Sequence, residues 1–165
     1  MFSGCSSLKS LDLSSFKTKN VNYMSNMFEN CSSLEYLNLS SFNTDHVTHI
    51  NSMFSGCSSL KSIDLSSFDT KNVNFMSNMF ENCFSLEYLN LSSFNTNHVT
   101  HINSMFSGCS SLEYLDISSF NTNNVENMDN IFYRINCSCK IKCNDNRLLQ
   151  EFDNKDKCVL FSIIV

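Results

Sequence analysis

Apolar side chains return along the chain at a fixed step of 26 residues, with polar stretches between them. Methionine, cysteine, leucine and phenylalanine each form a column at this step. The columns are Met1, Met27, Met53, Met79 and Met105; Cys5, Cys31, Cys57, Cys83 and Cys109; Leu8, Leu34, Leu60, Leu86 and Leu112; and Phe16, Phe42, Phe68, Phe94 and Phe120. Four columns in one register predict a repeat protein whose units stack on one another.

Each repeat contains two different spacings of apolar residues. Leu11 and Leu13 alternate with polar residues, which is typical of a strand with one buried face. Apolar residues then follow at spacings of three and four, which indicates one face of a helix. In the first complete unit these residues are Val21, Met24, Met27, Phe28 and Cys31.

Polar residues at both ends of the second pattern support a helix there. Thr18 precedes it and could cap free amide groups. Glycine or asparagine precedes each cysteine of the column, and both residues tolerate the left-handed conformation that ends a helix. That column reads Gly4, Asn30, Gly56, Asn82 and Gly108.

These patterns predict an α/β solenoid of leucine-rich-repeat type, with one short helix per 26-residue repeat. A single unit cannot bury enough apolar surface to offset its ordering entropy, so the units must stack. We expect one parallel sheet of five short strands near residues 10–14, 36–40, 62–66, 88–92 and 114–118. Helices are expected near residues 20–30, 46–56, 72–82, 98–108 and 124–132.

The repeat has a limited extent and a doubled unit. Residues 1–52 and 53–104 differ at only five positions, which indicates duplication of a two-repeat unit. The repeat decays after about residue 133. We therefore predict a solenoid over residues 1–133, which begins in mid-repeat as a fragment would, and a divergent, cysteine-containing tail or cap over residues 134–165.

Composition narrows the classes of function. Apolar residues make up 42% of the chain and charged residues 16%, which suits a buried core rather than disorder. The formal net charge of -5 gives no electrostatic reason to expect nucleic acid or an anionic membrane as a partner. No apolar run approaches the roughly 20 residues of a membrane helix, and the N-terminus lacks the pattern of a secretory signal.

Among the reactive residues, cysteine forms the pattern that most suggests a chemical role. Stacked coils would place Cys5, Cys31, Cys57, Cys83 and Cys109 about 4.8 Å apart, within disulfide reach, whereas a straight row cannot surround a metal ion. We predict that this column is reduced and largely buried. For Cys137, Cys139, Cys143 and Cys158 the spacing leaves a disulfide-linked cap, a metal site or neither open.

The remaining candidates for chemistry belong to repeat columns. His46 with His49, and His98 with His101, have helical spacing, but no acidic third ligand accompanies both pairs. His49 and His101 stand in the column of Tyr23, where they are expected to fill a half-buried position. Each serine has equivalents in the other repeats, whereas a nucleophile needs one special serine beside a base. We therefore expect neither enzymatic activity nor a cofactor.

Residues 53–76, with Met53-Phe54-Ser55-Gly56-Cys57 at their start, resemble the 26-residue repeat of the BspA-type leucine-rich-repeat surface proteins. The resemblance extends from residue 1 to about residue 133. It implies a location on the cell surface or outside the cell, a role in adhesion to host proteins or other cells, and no catalytic residues. A structural spacer array and an intracellular leucine-rich-repeat scaffold are the alternatives.

Outward positions of the expected strands form the candidate binding face for a protein or cell-surface ligand. Tyrosine is enriched where proteins bind partners, and the sheet would expose a column of it. The candidate residues are Tyr36, Tyr88 and Tyr114, together with the acidic or amide column Asp12, Asn38, Asp64, Asn90 and Asp116. The alternation within these columns follows from the doubled unit, so a purely structural role for it stays open.

Overall fold

Short parallel strands recur along the chain in the computed structural model, which describes residues 1–154. Five strands and one helix are present in that range. They are β1 (Ser10–Asp12), β2 (Tyr36–Asn38), β3 (Tyr88–Asn90), β4 (Tyr114–Ile117), β5 (Lys140–Cys143) and α1 (Asn146–Asn154).

Every strand pair is parallel and offset by one repeat. Ser10 pairs with Tyr36, Tyr88 with Tyr114, and Tyr114 with Lys140. This register confirms the solenoid and its parallel strands. It also extends the ladder into the segment predicted as a tail, because β5 pairs with β4. The boundary near residue 133 stays a prediction.

The sheet is divided, which corrects the prediction of a single five-stranded sheet. Strands β1 and β2 form one sheet, and β3, β4 and β5 form another. The expected strand at residues 62–66 is reduced to an isolated bridge between Ser62 and Tyr88. The third repeat therefore interrupts the ladder between β2 and β3.

The prediction of a helix in each repeat is wrong, and α1 is the only α-helix that the described residues contain. Consecutive turns occupy those segments instead. Within a coil the amide of Cys31 donates to the carbonyl of Phe28 at 3.1 Å, three residues back, while the Phe28 amide donates across to Met53 in the next coil at 2.9 Å. Because amide groups such as that of Phe28 are satisfied between coils, they do not form the four-residue ladder of an α-helix.

The three-and-four spacing nevertheless identified the side chains that face the core. Its members in the second full repeat are all buried: Val47, Ile50, Met53, Phe54 and Cys57. Phenylalanine rings at the Phe54 column stack from coil to coil. The Phe54 and Phe80 centroids lie 5.6 Å apart, and those of Phe80 and Phe106 lie 6.1 Å apart.

The glycine and asparagine column adopts the left-handed conformation that was predicted, but in a turn rather than at a helix end. Asn82 has a φ of 58° and Gly108 a φ of 77°. A Cβ atom on Gly108 would lie 2.6 Å from Asn82 Oδ1 in the preceding coil, so glycine also permits the close stacking of coils here. The positive φ of Ser52 and Ser104, 54° in both, was not anticipated.

The threonine expected to cap a helix instead joins two coils. Thr18 Oγ1 donates to the Asn43 carbonyl at 2.9 Å and accepts from the Asn43 amide at 2.8 Å. The same pair of bonds joins Thr44 to Asp69. Each of these buried hydroxyls thus satisfies both backbone groups of a residue in the next coil.

The interior cysteines form a buried column of thiols, as predicted. Cys31, Cys57, Cys83 and Cys109 are buried, and none is in a disulfide. Each sulfur donates to a carbonyl of the preceding coil, as Cys57 Sγ does to Phe28 O at 3.1 Å. Burial raises the pKa of Cys57 and of Cys109 to about 12.

Cys5 departs from that prediction because it is exposed. It lies in the first coil that the structure describes.

Thiol labelling under native conditions tests the burial of the other cysteines in the column. Cys5 and Cys137 are exposed, and only a thiolate in contact with solvent reacts with iodoacetamide. At pH 8 we therefore expect these two cysteines to be alkylated at least ~100-fold faster than the four buried cysteines of the column. Mass spectrometry of timed digests measures the rates, a urea-unfolded sample gives the reference, and equal native rates would contradict burial.

The last coil is closed by Asp145 and α1. Asp145 Oδ2 accepts from the amide and the hydroxyl of Thr122, both at 2.8 Å. Its Oδ1 accepts from the amides of Arg147 at 2.9 Å and Leu148 at 3.2 Å, at the start of α1. Leu148 is buried against the core. One carboxylate therefore ends the threonine ladder and caps the helix.

Candidate partner-binding face

Two of the three candidate tyrosines come together on the outward face of the sheet. Tyr88 and Tyr114 stack with ring centroids 5.0 Å apart and an interplanar angle of 10°. Tyr88 is 50% exposed and Tyr36 is 55% exposed, whereas Tyr114 is half-buried. Ser62 occupies the coil between Tyr36 and Tyr88, so Tyr36 stands apart from the stacked pair.

The acidic and amide column of the candidate face binds the backbone just beyond it. In each repeat Oδ1 accepts from the backbone amide two residues ahead, at 2.9 Å for Asp64 and Asn90. Asp12, Asn38 and Asp116 make the same bond. The bond from the Ser66 amide lowers the pKa of Asp64. This shared bond explains why aspartate and asparagine alternate freely in the column, and it supports a structural role for it.

Asp116 differs from the rest of its column because it is buried. Its Oδ2 lies 3.0 Å from Lys142 Nζ, and its Oδ1 accepts from Ser118 Oγ at 2.6 Å. Burial opposes ionisation, but the hydrogen bonds from Ser118 and Lys142 prevail and lower the pKa of Asp116. The carboxylate of Asp116 is therefore bound by other side chains of the protein, whereas Asp12, Asp64 and Asn90 are exposed.

A divided groove crosses the face at the third repeat. Its larger part, about 550 Å³, is lined by Tyr36 and Asn38 on one side and by Ser62 and Asp64 on the other. Its smaller part, about 290 Å³, lies between Asp64 and Tyr88. Sequence reasoning missed this groove, although the small Ser62 between two tyrosines of the same column is a signal that could have found it.

The histidines fill a second aromatic ladder, as their column predicted. His49 lies between Tyr23 and Phe75, with centroid distances of 4.9 Å and 4.7 Å. His101 continues the row at 5.3 Å from Phe75. Both histidines are half-buried, whereas His46 and His98 are exposed. Residues 1–154 contain no group of three or more histidine, cysteine or acidic side chains placed to hold a metal ion.

The tail cysteines are dispersed where the structure describes them. Cys137 is exposed, Cys139 is buried and Cys143 is half-buried. Cys158 lies outside the described residues, so the disulfide, metal and unlinked alternatives stay open. In the described part of the chain, no helix has the length and apolar character needed to cross a membrane.

Comparison with known proteins identifies the family. Residues 1–95 and 63–145 each match the family described as Mycoplasma protein of unknown function, DUF285. A solved leucine-rich repeat protein from Bacteroides ovatus ATCC 8483 is 25% identical, with a TM-score of 0.46 over 87% of this chain. The chain spans 39% of that protein's length. No curated protein matches. Because the family match covers most of the sequence, this chain belongs to the DUF285 family, and its repeats are of the BspA type.

Proposed function

We propose that the chain is a non-catalytic binding module that recognises a partner on a cell surface through the outward face of its strands. The observation that carries the proposal is the tyrosine arrangement: Tyr36 and Tyr88 are exposed, and Tyr88 stacks on the half-buried Tyr114. Rings held in this way present large contact areas and lose little entropy on binding, which is why tyrosine is frequent in binding surfaces.

The family supports a location at the cell surface for this binding. The chain belongs to a bacterial repeat family whose BspA-type members are expected at surfaces, where adhesion requires a partner-binding face. The partner is a protein or another cell-surface ligand. Adhesion to host proteins or other cells is the role that the resemblance supports best.

Two of the repeated serines make structural contacts between coils. Ser41 Oγ donates to the carbonyls of Leu13 and Phe16 in the preceding coil, both at 3.0 Å. Ser119 makes the equivalent contacts with Leu91 and Phe94. Hydroxyls with this role stabilise stacking, which supports a binding function rather than catalysis by a serine nucleophile.

A spacer array is the second candidate function. The hydrogen bonds of the acidic and amide column favour it, since those side chains accept from the backbone amide two residues ahead in every repeat. In that case the repeats would set a distance, and another part of a longer protein would bind.

The test replaces Tyr36, Tyr88 and Tyr114 together with alanine. We expect binding of the fluorescently labelled protein to cultured epithelial cells to fall at least ~10-fold, because exposed aromatic anchors dominate interface energy. The matched control is Tyr23→Ala, which removes a more exposed tyrosine, 68% accessible, from the other ladder and should leave binding unchanged. Circular dichroism and thermal unfolding verify that each variant is folded.

Two results would contradict the proposal. Undiminished binding by the triple variant, with loss in Tyr23→Ala, would place the binding surface on the histidine ladder. No binding by the wild-type protein would favour the spacer.

A further inference from the structure

We propose that the groove at the third repeat is a subsite for one hexopyranose ring of a cell-surface glycan, held between Tyr36 and Tyr88 above Ser62. The inference rests on the proposed function and names the ligand class for part of that face. It depends on the ring spacing, the side chains around the slot and the interruption of the sheet.

Tyr88 is a stacking platform with one ring face already covered. Tyr114, one coil further on, lies against it at 5.0 Å. On the other side the next coil carries Ser62, whose small side chain covers little of a phenol ring. One face of Tyr88 is therefore open toward Tyr36. Its other face already stacks on a flat ring, that of Tyr114.

The slot has a defined width. Tyr36 and Tyr88 are two coils apart. The same coils are joined by parallel bridges from His49 to Phe75 and from Phe75 to His101, so two strand spacings place the rings roughly 10 Å from each other. A flat group in contact with both rings would need about 7 Å, because each contact between carbon atoms takes about 3.5 Å. A saturated six-membered ring is thicker, since it is puckered and carries axial hydrogens. The width thus favours a sugar ring over a guanidinium or an aromatic side chain.

The rim of the slot carries groups suited to hydroxyls. Asp64 and Ser66 line both parts of the groove, with Asn38 on the Tyr36 side and Asn90 on the Tyr88 side. A hexopyranose has apolar C–H groups on its faces and hydroxyls around its edge, so its faces match the tyrosines and its edge matches these polar side chains. The bond from the Ser66 amide holds the Asp64 carboxylate in place.

The slot coincides with the interruption of the sheet, which occurs at this position alone in the tyrosine column. Strand β2 and the third repeat belong to no common sheet, and the groove follows that break. At the β3–β4 step, by contrast, the ladder is continuous and Tyr114 fills the corresponding space.

The experiment is saturation-transfer-difference NMR with three probes: the methyl glycosides of β-glucopyranose, β-galactopyranose and α-mannopyranose, each at millimolar concentration. We expect transfer from the protein to ring C–H protons of at least one probe. Ser62→Tyr should reduce this transfer at least ~5-fold, because a third ring would stack in the slot as Tyr114 does on Tyr88. The matched control is Ser10→Tyr, in the same column but beside only one tyrosine, which should leave transfer unchanged.

Asp64→Asn separates a sugar from a cationic side chain. Asparagine keeps the Oδ1 that accepts from the amide two residues ahead, as Asn38 and Asn90 do, so this variant should fold. Because an amide oxygen is a weaker hydrogen-bond acceptor than a carboxylate, transfer to the sugar should fall, but by no more than ~3-fold. Absence of transfer to all three glycosides, or unchanged transfer in Ser62→Tyr, would overturn the inference. So would saturable binding of Nα-acetylarginine, lost in Asp64→Asn, in place of sugar binding.

Failure of this inference is distinguishable from failure of the proposed function. If no glycoside binds but the triple tyrosine variant loses cell binding, the face binds a partner by other contacts. Glycosides could instead bind the wild-type protein but not Ser62→Tyr, while the triple variant still binds cells. In that case the sugar subsite is supported, and the face is not the adhesive surface.

Discussion

Phe80→Ala is expected to lower the free energy of unfolding by about 3–5 kcal/mol. The ring is fully buried and lies between Phe54 and Phe106, with centroid distances of 5.6 Å and 6.1 Å. Its loss leaves a cavity between coils that hydrogen-bond to each other on both sides, so the neighbouring coils cannot close the space. Urea unfolding followed by circular dichroism measures the change.

The control for this prediction is Phe16→Ala. Phe16 is also a phenylalanine of a repeat column, but it is 39% exposed in the first coil, so its removal should cost about 1 kcal/mol. Similar small losses in both variants would mean that the phenylalanine stack does not contribute as its burial indicates. A change in the slope of the unfolding transition would indicate that the coils no longer unfold together.

Asp145→Ala is the second change with a large expected effect, a loss of about 2–4 kcal/mol. The substitution leaves the amide and the hydroxyl of Thr122 without their acceptor and removes the cap of α1. Because these contacts hold α1 against the coil of Thr122, we expect that coil to become accessible first. Hydrogen exchange at the amides of β5 should therefore rise more than exchange at β2.

The Asp145 contribution should depend on pH. Burial opposes ionisation of this carboxyl, but hydrogen bonds from Thr122, Leu148 and Arg147 prevail and lower its pKa below the ordinary value. A carboxyl with a lowered folded-state pKa stabilises the fold above its unfolded pKa, and this stabilisation is lost as the pH falls through the folded pKa. Wild type should therefore lose more stability than Asp145→Asn between about pH 5 and pH 2. Equal losses of stability in the two proteins over this pH range would show that ionisation of Asp145 does not cause the pH dependence.

Much of the core was accessible to sequence reasoning because each coil buries the same columns. Leu13, Phe54 and Cys57 face inward as their repeats predicted. Tyr36 and Tyr88 are exposed on the sheet, as their column predicted, whereas Tyr114 is half-buried. Asp116 was predicted to face outward but is buried, and it pairs with Lys142, which lies beyond the recognisable repeat. The groove was missed because an interrupted strand has the same local pattern as a continuous one.

The sequence by itself determined the period, the inward columns and the parallel stacking, since a side chain's burial repeats whenever its coil does. It did not determine how the backbone of the second half of each coil is paired. Spacings of three and four serve a helix and a series of three-residue turns equally well, because both return a side chain to the same face. Only the neighbouring coil decided between them: its carbonyls accept amides such as those of Met24 and Phe28, and these amides are then unavailable for helical bonds.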